Sequence, residues 1–218
     1  MNEEQVAHAT AAITQEGYAF QYASDEIKNN QEVVTAAVTQ NGCAVQYASD
    51  KMKKNREVVT IAVTQNGHAL YYVSDEMKNN EQVVTAAVTQ DCDALEYASY
   101  ELKNNEQGVT AAVTQDGEVL RYASDELKNH EQVVTAAVTR KGAALYYASN
   151  NQRGNVGVVL AARRQNPFPC EYYLSQDFIV AAVTRYHHHG SNPDARIVDK
   201  PPEVAVASKR QKIDHFLD

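Results

Sequence analysis

Few residues in this chain are of the types that do chemistry. Cys43 and His68 stand 25 residues apart at equivalent points of a repeat, and a thiol beside an imidazole is the start of a nucleophilic pair. A third group must orient such a base, and no residue here is specified for that role. His187, His188 and His189 are of metal-ligand type, but no further ligands lie near them, so the run reads as a solvated linker. Arg163, Arg164 and Arg185 fall in a basic stretch and could contact phosphate or another anion. P-loop, G-x-S-x-G and H-E-x-x-H patterns are absent from the sequence, so the common phosphate-cradling, acyl-transfer and zinc-protease templates do not apply. The residues therefore point to a non-enzymatic protein, with no cofactor or metal called for.

Whatever positions these groups is a repeat, and internal periodicity decides the architecture before any local motif does. Tyr22, Tyr47, Tyr72, Tyr97, Tyr122, Tyr147 and Tyr172 step by 25 residues each time. Gly17, Gly42, Gly67, Gly117 and Gly142 keep the same step, with Cys92 in the one exceptional place. Ile27, Met52, Met77, Leu102 and Leu127 make a third column, always a large aliphatic. The phrase beginning Val33-Val34-Thr35-Ala36-Ala37-Val38 returns at Val58, Val83, Gly108 and Val133.

Each unit reads as two short helices. The first runs from Asn30 to Gln40, with Val34, Ala37 and Val38 at helical spacing. Asn29, Asn79, Asn104 and Asn129 precede Glu32, Gln82, Gln107 and Gln132 by three residues, a capping-box spacing; Lys54 breaks that column, leaving Asn55 to cap. The Asn-Gly or Asp-Gly pair marks the helix end, where glycine would take a left-handed conformation. The second helix starts near Cys43 and either runs on or breaks at Ser49. Helices this short are marginal alone in water, so each unit must bury its apolar stripe against its neighbours. The expected fold is all-α, an α-solenoid-like stack of about seven such two-helix repeats over residues 1–186. Residues 154–186 read as degenerate, capping repeats, and residues 187–218, with prolines and no periodicity, as a disordered tail.

Charge divides along the chain. Residues 1–139 carry 9 Lys+Arg against 21 Asp+Glu, residues 140–186 carry 6 against 2, and the remainder 5 of each. The net charge of −8 argues against general nucleic-acid binding, which needs a basic face. No apolar run is long enough for a membrane span. Three cysteines without paired spacing suit a reducing, intracellular setting, here expected to be the cytoplasm. Lys209-Arg210-Gln211-Lys212 offers a nuclear-import alternative.

Units such as "ALYYVSDEMKNNEQVVTAAVTQDCDALEYAS" resemble a family of short tandem helical repeats that read approximately L-x-Y-A-S-x-E-L-K-N-D-x-E-V-V-x-A-A-V-x-x-N-G. The resemblance covers residues 3–175 and departs at Cys92, Tyr100, Arg163 and Arg164. That family is classed as a domain of unknown function, so the resemblance implies a helical repeat fold and no catalytic or cofactor residues.

Residues that recur in every copy serve the repeat, whereas an active site is a single constellation. The informative positions are those the repeat leaves free: Tyr18, Cys43, His68, Asp93, Glu118 and Ala143, and three residues on Gln21, Gln46, Tyr71, Glu96, Arg121 and Tyr146. With a continuous second helix, Tyr100 would share their face. His68, Tyr71, Glu96, Tyr100, Arg121 and Tyr146 are thus the candidate contacts to an unidentified protein partner, since aromatics and arginine are over-represented in binding hot spots. The alternative is an anion or nucleic-acid site on Arg163, Arg164 and Arg185. At Arg163 the repeat places a core valine elsewhere, so its charge must reach solvent, a carboxylate or an external anion.

Overall fold

The computed structural model describes residues 3–15 and 17–165. It opens with α1 (Glu3–Gln15), followed by the 3₁₀ helix η1 (Gly17–Tyr22), a single-turn helix α2 (Asp25–Lys28) and α3 (Gln31–Gln40). The same three pieces then recur as η2 (Gly42–Tyr47), α4 (Asp50–Lys53) and α5 (Arg56–Gln65), and as η3 (Gly67–Tyr72), α6 (Asp75–Lys78) and α7 (Glu81–Gln90). Next come η4 (Cys92–Tyr97), α8 (Tyr100–Lys103) and α9 (Glu106–Gln115), then η5 (Gly117–Tyr122), α10 (Asp125–Lys128) and α11 (Glu131–Arg140). The last described set is η6 (Gly142–Tyr147), α12 (Asn150–Arg153) and α13 (Val156–Gln165). No strand occurs among the described residues. The fold is the expected helical repeat stack, and the second helix is broken at its serine into a 3₁₀ turn and a single α turn. Arg185 and residues 187–218, with Lys209 to Lys212 and the three histidines, lie outside the described residues.

Side-chain chemistry sets each boundary. Asn30, Asn80 and Asn105 are the N-caps of α3, α7 and α9, and each side-chain oxygen accepts from the backbone N–H three residues on. Asn55 does the same for α5. The cap is therefore the second asparagine of each Asn-Asn pair, one residue later than the capping-box spacing indicates. Ser49, Ser99, Ser124 and Ser149 cap the single-turn helices in the same way.

The displaced Asn29 column ties neighbouring units together. Ser49 Oγ donates to Asn29 Oδ1 at 2.8 Å, Ser99 to Asn79 at 2.6 Å, Ser124 to Asn104 at 2.5 Å and Ser149 to Asn129 at 2.8 Å. Backbone bonds run alongside: the N–H of Ser49, Ser74, Ser99, Ser124 and Ser149 donates to the carbonyl of Lys28, Lys53, Lys78, Lys103 and Lys128. One tie is missing, because Lys54 stands in the asparagine column and the buried Ser74 hydroxyl has no partner. Lys54→Asn is expected to supply that acceptor and raise stability by about 1 kcal/mol, read as a higher urea midpoint with an unchanged slope.

Apolar columns fill the space between units. Val34, Val59, Val109 and Val134 are fully buried, as are Ala37, Ala62, Ala87, Ala112 and Ala137. The 3₁₀ helices add Phe20, Val45, Leu70, Leu120 and Leu145, none more than 1% exposed. The glycine column serves this close stacking. A Cβ at Gly42 would lie 2.2 Å from the Ala62 carbonyl oxygen, at Gly67 2.6 Å from that of Ala87, and at Gly117 2.2 Å from that of Ala137. None of these three glycines has a positive φ, so the left-handed helix stop expected at the Asn-Gly pairs is not what they provide. They let a 3₁₀ helix press on the next unit's long helix. The contact is sealed by hydrogen bonds from Gly42 N–H to Gln65 Oε1 at 2.6 Å and from Gly67 N–H to Gln90 Oε1.

Candidate protein-binding face

The six 3₁₀ helices present the free positions of successive units side by side. Asx turns start them: Asn41, Asn66, Asp91 and Asp116 accept from the N–H two residues on. Small core residues such as Ala44, Ala69 and Ala94 point inward. The intervening positions are left to solvent, as the short period of a 3₁₀ turn allows.

Two of the candidates, His68 and Tyr71, join an aromatic cluster. Their rings stack with centroids 6.0 Å apart. Tyr97 of the next unit meets His68 edge-on at 4.9 Å and Tyr71 at 5.1 Å, while Tyr72 meets Tyr71 at 5.0 Å. Edge-to-face pairs at such distances add about 0.5–1.5 kcal/mol beyond area burial. Tyr71 remains 54% exposed and His68 is also exposed, while Tyr72 and Tyr97 are half-buried. Lys78 Nζ sits 5.9 Å from the Tyr71 ring centroid, at the limit of a cation–π contact.

Arg121 and Glu96 belong to a charged section beside it. Arg121 Nη2 donates to Asp93 Oδ2 of the preceding unit at 3.0 Å, and its guanidinium lies 4.5 Å from the Tyr122 ring centroid. Partial burial works against the Arg121 charge, but hydrogen bonds to the Tyr122 and Tyr147 side chains and the Asp93 carboxylate outweigh it and raise the pKa. Burial raises the Tyr122 pKa, and a hydrogen bond to Glu96 adds to the rise. Burial likewise raises that of Tyr97, with the Glu96 charge reinforcing it. Further along, Lys141 Nζ pairs with Glu118 Oε1 at 3.0 Å. Tyr146 is 54% exposed and packs edge-on against Tyr147 at 5.2 Å.

The structure thus gathers His68, Tyr71, Glu96, Arg121 and Tyr146 on the 3₁₀ helices, and separates Tyr100 from them. The break at Ser99 puts Tyr100 on α8, where its hydroxyl donates to Glu126 Oε2 at 3.1 Å. That bond and the Glu126 charge raise the Tyr100 pKa. Tyr72, Tyr97 and Tyr122 are the participants that the sequence concealed. As members of an invariant column they read as packing residues, but they are only half-buried.

Cys43 has none of the properties of an activated thiol. Burial pushes its pKa up, whereas a nucleophilic cysteine needs it lowered. Arg163 and Arg164 are both exposed, so Arg163 resolves its core-equivalent position by reaching solvent. Among the described residues, no three His, Cys, Asp or Glu side chains gather as metal ligands. No described helix is long and apolar enough to cross a membrane. Two shallow grooves, along α9 and beside α11, are lined by other residues such as Thr110, Thr114, Glu131 and Thr135 and include none of this face.

A family model described as Domain of unknown function (DUF4116) matches residues 9–53, 55–103 and 105–153. Each match spans two of the structural units. No curated protein and no solved structure matches the chain. With three tandem matches over more than half of its length, the chain belongs to the DUF4116 family, a helical repeat domain of unknown function.

Proposed function

We propose that this protein is a non-enzymatic repeat scaffold that binds another protein through the 3₁₀ face running from His68 to Tyr146. The supporting observation is the half-exposed aromatic cluster of His68, Tyr71, Tyr72 and Tyr97. Large rings already ordered by one another lose little conformational freedom on binding. They sit beside Glu96 and Arg121, which supply directional polar contacts, and aromatic and arginine side chains dominate interface energetics.

Tyr71→Ala together with Tyr146→Ala tests the reading. Affinity capture of the full chain from its native cell, followed by mass spectrometry, should yield a protein whose retention falls at least about tenfold in the double variant, a loss of about 1.4 kcal/mol. Circular dichroism should show the fold intact. Undiminished capture of every partner by the folded double variant would remove this face from consideration. The anion-binding alternative rests on the exposed Arg163 and Arg164 pair. It predicts salt-sensitive binding that Arg163→Glu with Arg164→Glu abolishes.

A further inference from the structure

One interface in the stack departs from the others. Helices α3 and α5, α5 and α7, α9 and α11, and α11 and α13 pack closely, whereas α7 and α9 approach each other much less. The exposures agree. Val34, Val38, Val59, Val63, Val134 and Val138 are all 0% exposed, but Val84 and Val88 of α7 are 5% and 7%. Leu102, equivalent to the buried Met77 and Leu127, is also partly uncovered.

Two substitutions in the repeat explain the gap. Cys92 occupies the column where glycine otherwise meets the next unit's helix carbonyl. Its Cβ cannot fit at the separation seen for Gly42, Gly67 and Gly117, so η4 stands off from α9. The N–H to glutamine bond that seals the joint at Gly42 and Gly67 has no counterpart between Cys92 and Gln115 among the described hydrogen bonds. Across the gap, Gly108 replaces a valine that is 0% exposed in its equivalents Val33, Val58, Val83, Val133 and Val158. Gly108 and Gln115 are seven residues apart on α9 and so share a side, the side that faces the preceding unit. A Cβ at Gly108 would meet only its own cap, Asn105, and the position is exposed where its valine equivalents are buried.

On the opposite side η4 and η5 also lie less closely together than η2 and η3, η3 and η4, or η5 and η6, but hydrogen bonds and an ion pair tie this side. Arg121 pairs with Asp93, Tyr100 bonds to Glu126, and Ser124 N–H and Oγ donate to Lys103 and Asn104. We infer that the α7/α9 interface is a flexural joint of the stack, opening along its long helices and held on the other side by these ties between η4 and η5 and between α8 and α10. This joint requires no binding partner. It falls between the His68–Tyr71–Glu96 section of the 3₁₀ face and the Arg121–Tyr146 section, so bending changes their mutual presentation.

Hydrogen–deuterium exchange of the full chain tests the joint directly. Amides of α7 and α9 should exchange at least about tenfold faster than those of α3 and α5, because local opening is read as lost protection. Cys92→Gly with Gly108→Val restores the repeat pattern and should bring α7 and α9 to the α3 and α5 rates. Gly67→Cys with Val83→Gly should transplant the joint to the α5/α7 interface. Equal exchange of all four helices in the unaltered chain would overturn the inference. So would a restored Cys92→Gly/Gly108→Val chain that still exchanges as fast at α7 and α9. The comparison within the unaltered chain decides even where a variant fails to fold.

Discussion

Leu120→Ala is expected to cost about 2–5 kcal/mol, the range for removing a buried leucine side chain and leaving a cavity. Leu120 is fully buried on η5. That 3₁₀ helix packs on α9, on α11 and on η6, so the truncation loosens a unit and its junction with the next at once. A chain of this size shifts its midpoint by about 2–4 °C per kcal/mol. A melting-temperature fall of about 4–20 °C in thermal circular dichroism follows. Tyr71→Ala, at a half-exposed position, removes its edge-to-face pairs with Tyr72 and Tyr97 but no core volume, and should cost about 1–3 kcal/mol. If Leu120→Ala melted together with the unaltered chain, the 3₁₀ helices would not be carrying the inter-unit core.

Gly117→Val should be at least as damaging, at roughly 3 kcal/mol or more, because overpacking a tight contact usually costs about 1–3 kcal/mol and backbone cannot rotate away as a side chain does. The decisive comparison is Gly117→Asn. Asparagine tolerates the left-handed region far better than valine, so a glycine kept for its φ would accept asparagine cheaply. A glycine kept for closeness would not, as both residues bring the same Cβ to within 2.2 Å of the Ala137 oxygen. Equal losses for Val and Asn in chemical denaturation are expected. A mild Asn and a severe Val would restore the conformational explanation.

Much of this architecture was legible because a repeat is a comparison built into one chain. The valine and alanine columns, the 25-residue step and the helical class needed only spacing. The helix cap was misplaced by one residue because Asn29 and Asn30 are chemically identical and only Asn29 has the Glu three residues on that a capping box calls for. The units with Lys54-Asn55 and Asn129-His130 distinguish them, and in both the cap position is the second residue. The glycine column was found and misexplained. Asn-Gly before a new element suggests a backbone conformation, whereas the constraint here is a carbonyl oxygen 20 residues further on, at Ala62 for Gly42. Six residues are also too few to separate a 3₁₀ from an α period by eye, and so the detachment of Tyr100 from the candidate face was hidden. Cys92 and Gly108 were visible as departures, but their joint effect depends on a cross-unit contact that no linear pattern displays.

The serine-to-asparagine and serine-to-lysine bonds have a consequence for how such chains change over time. Every one of them spans a constant distance along the chain, 20 or 21 residues back. Deleting or duplicating a whole number of units therefore leaves each serine N–H facing an equivalent lysine carbonyl and, outside the Lys54 position, each hydroxyl facing an asparagine. Array length is then a heritable variable that recombination can alter in single steps with these ties preserved at the seam, while the free positions of each new copy are left to vary.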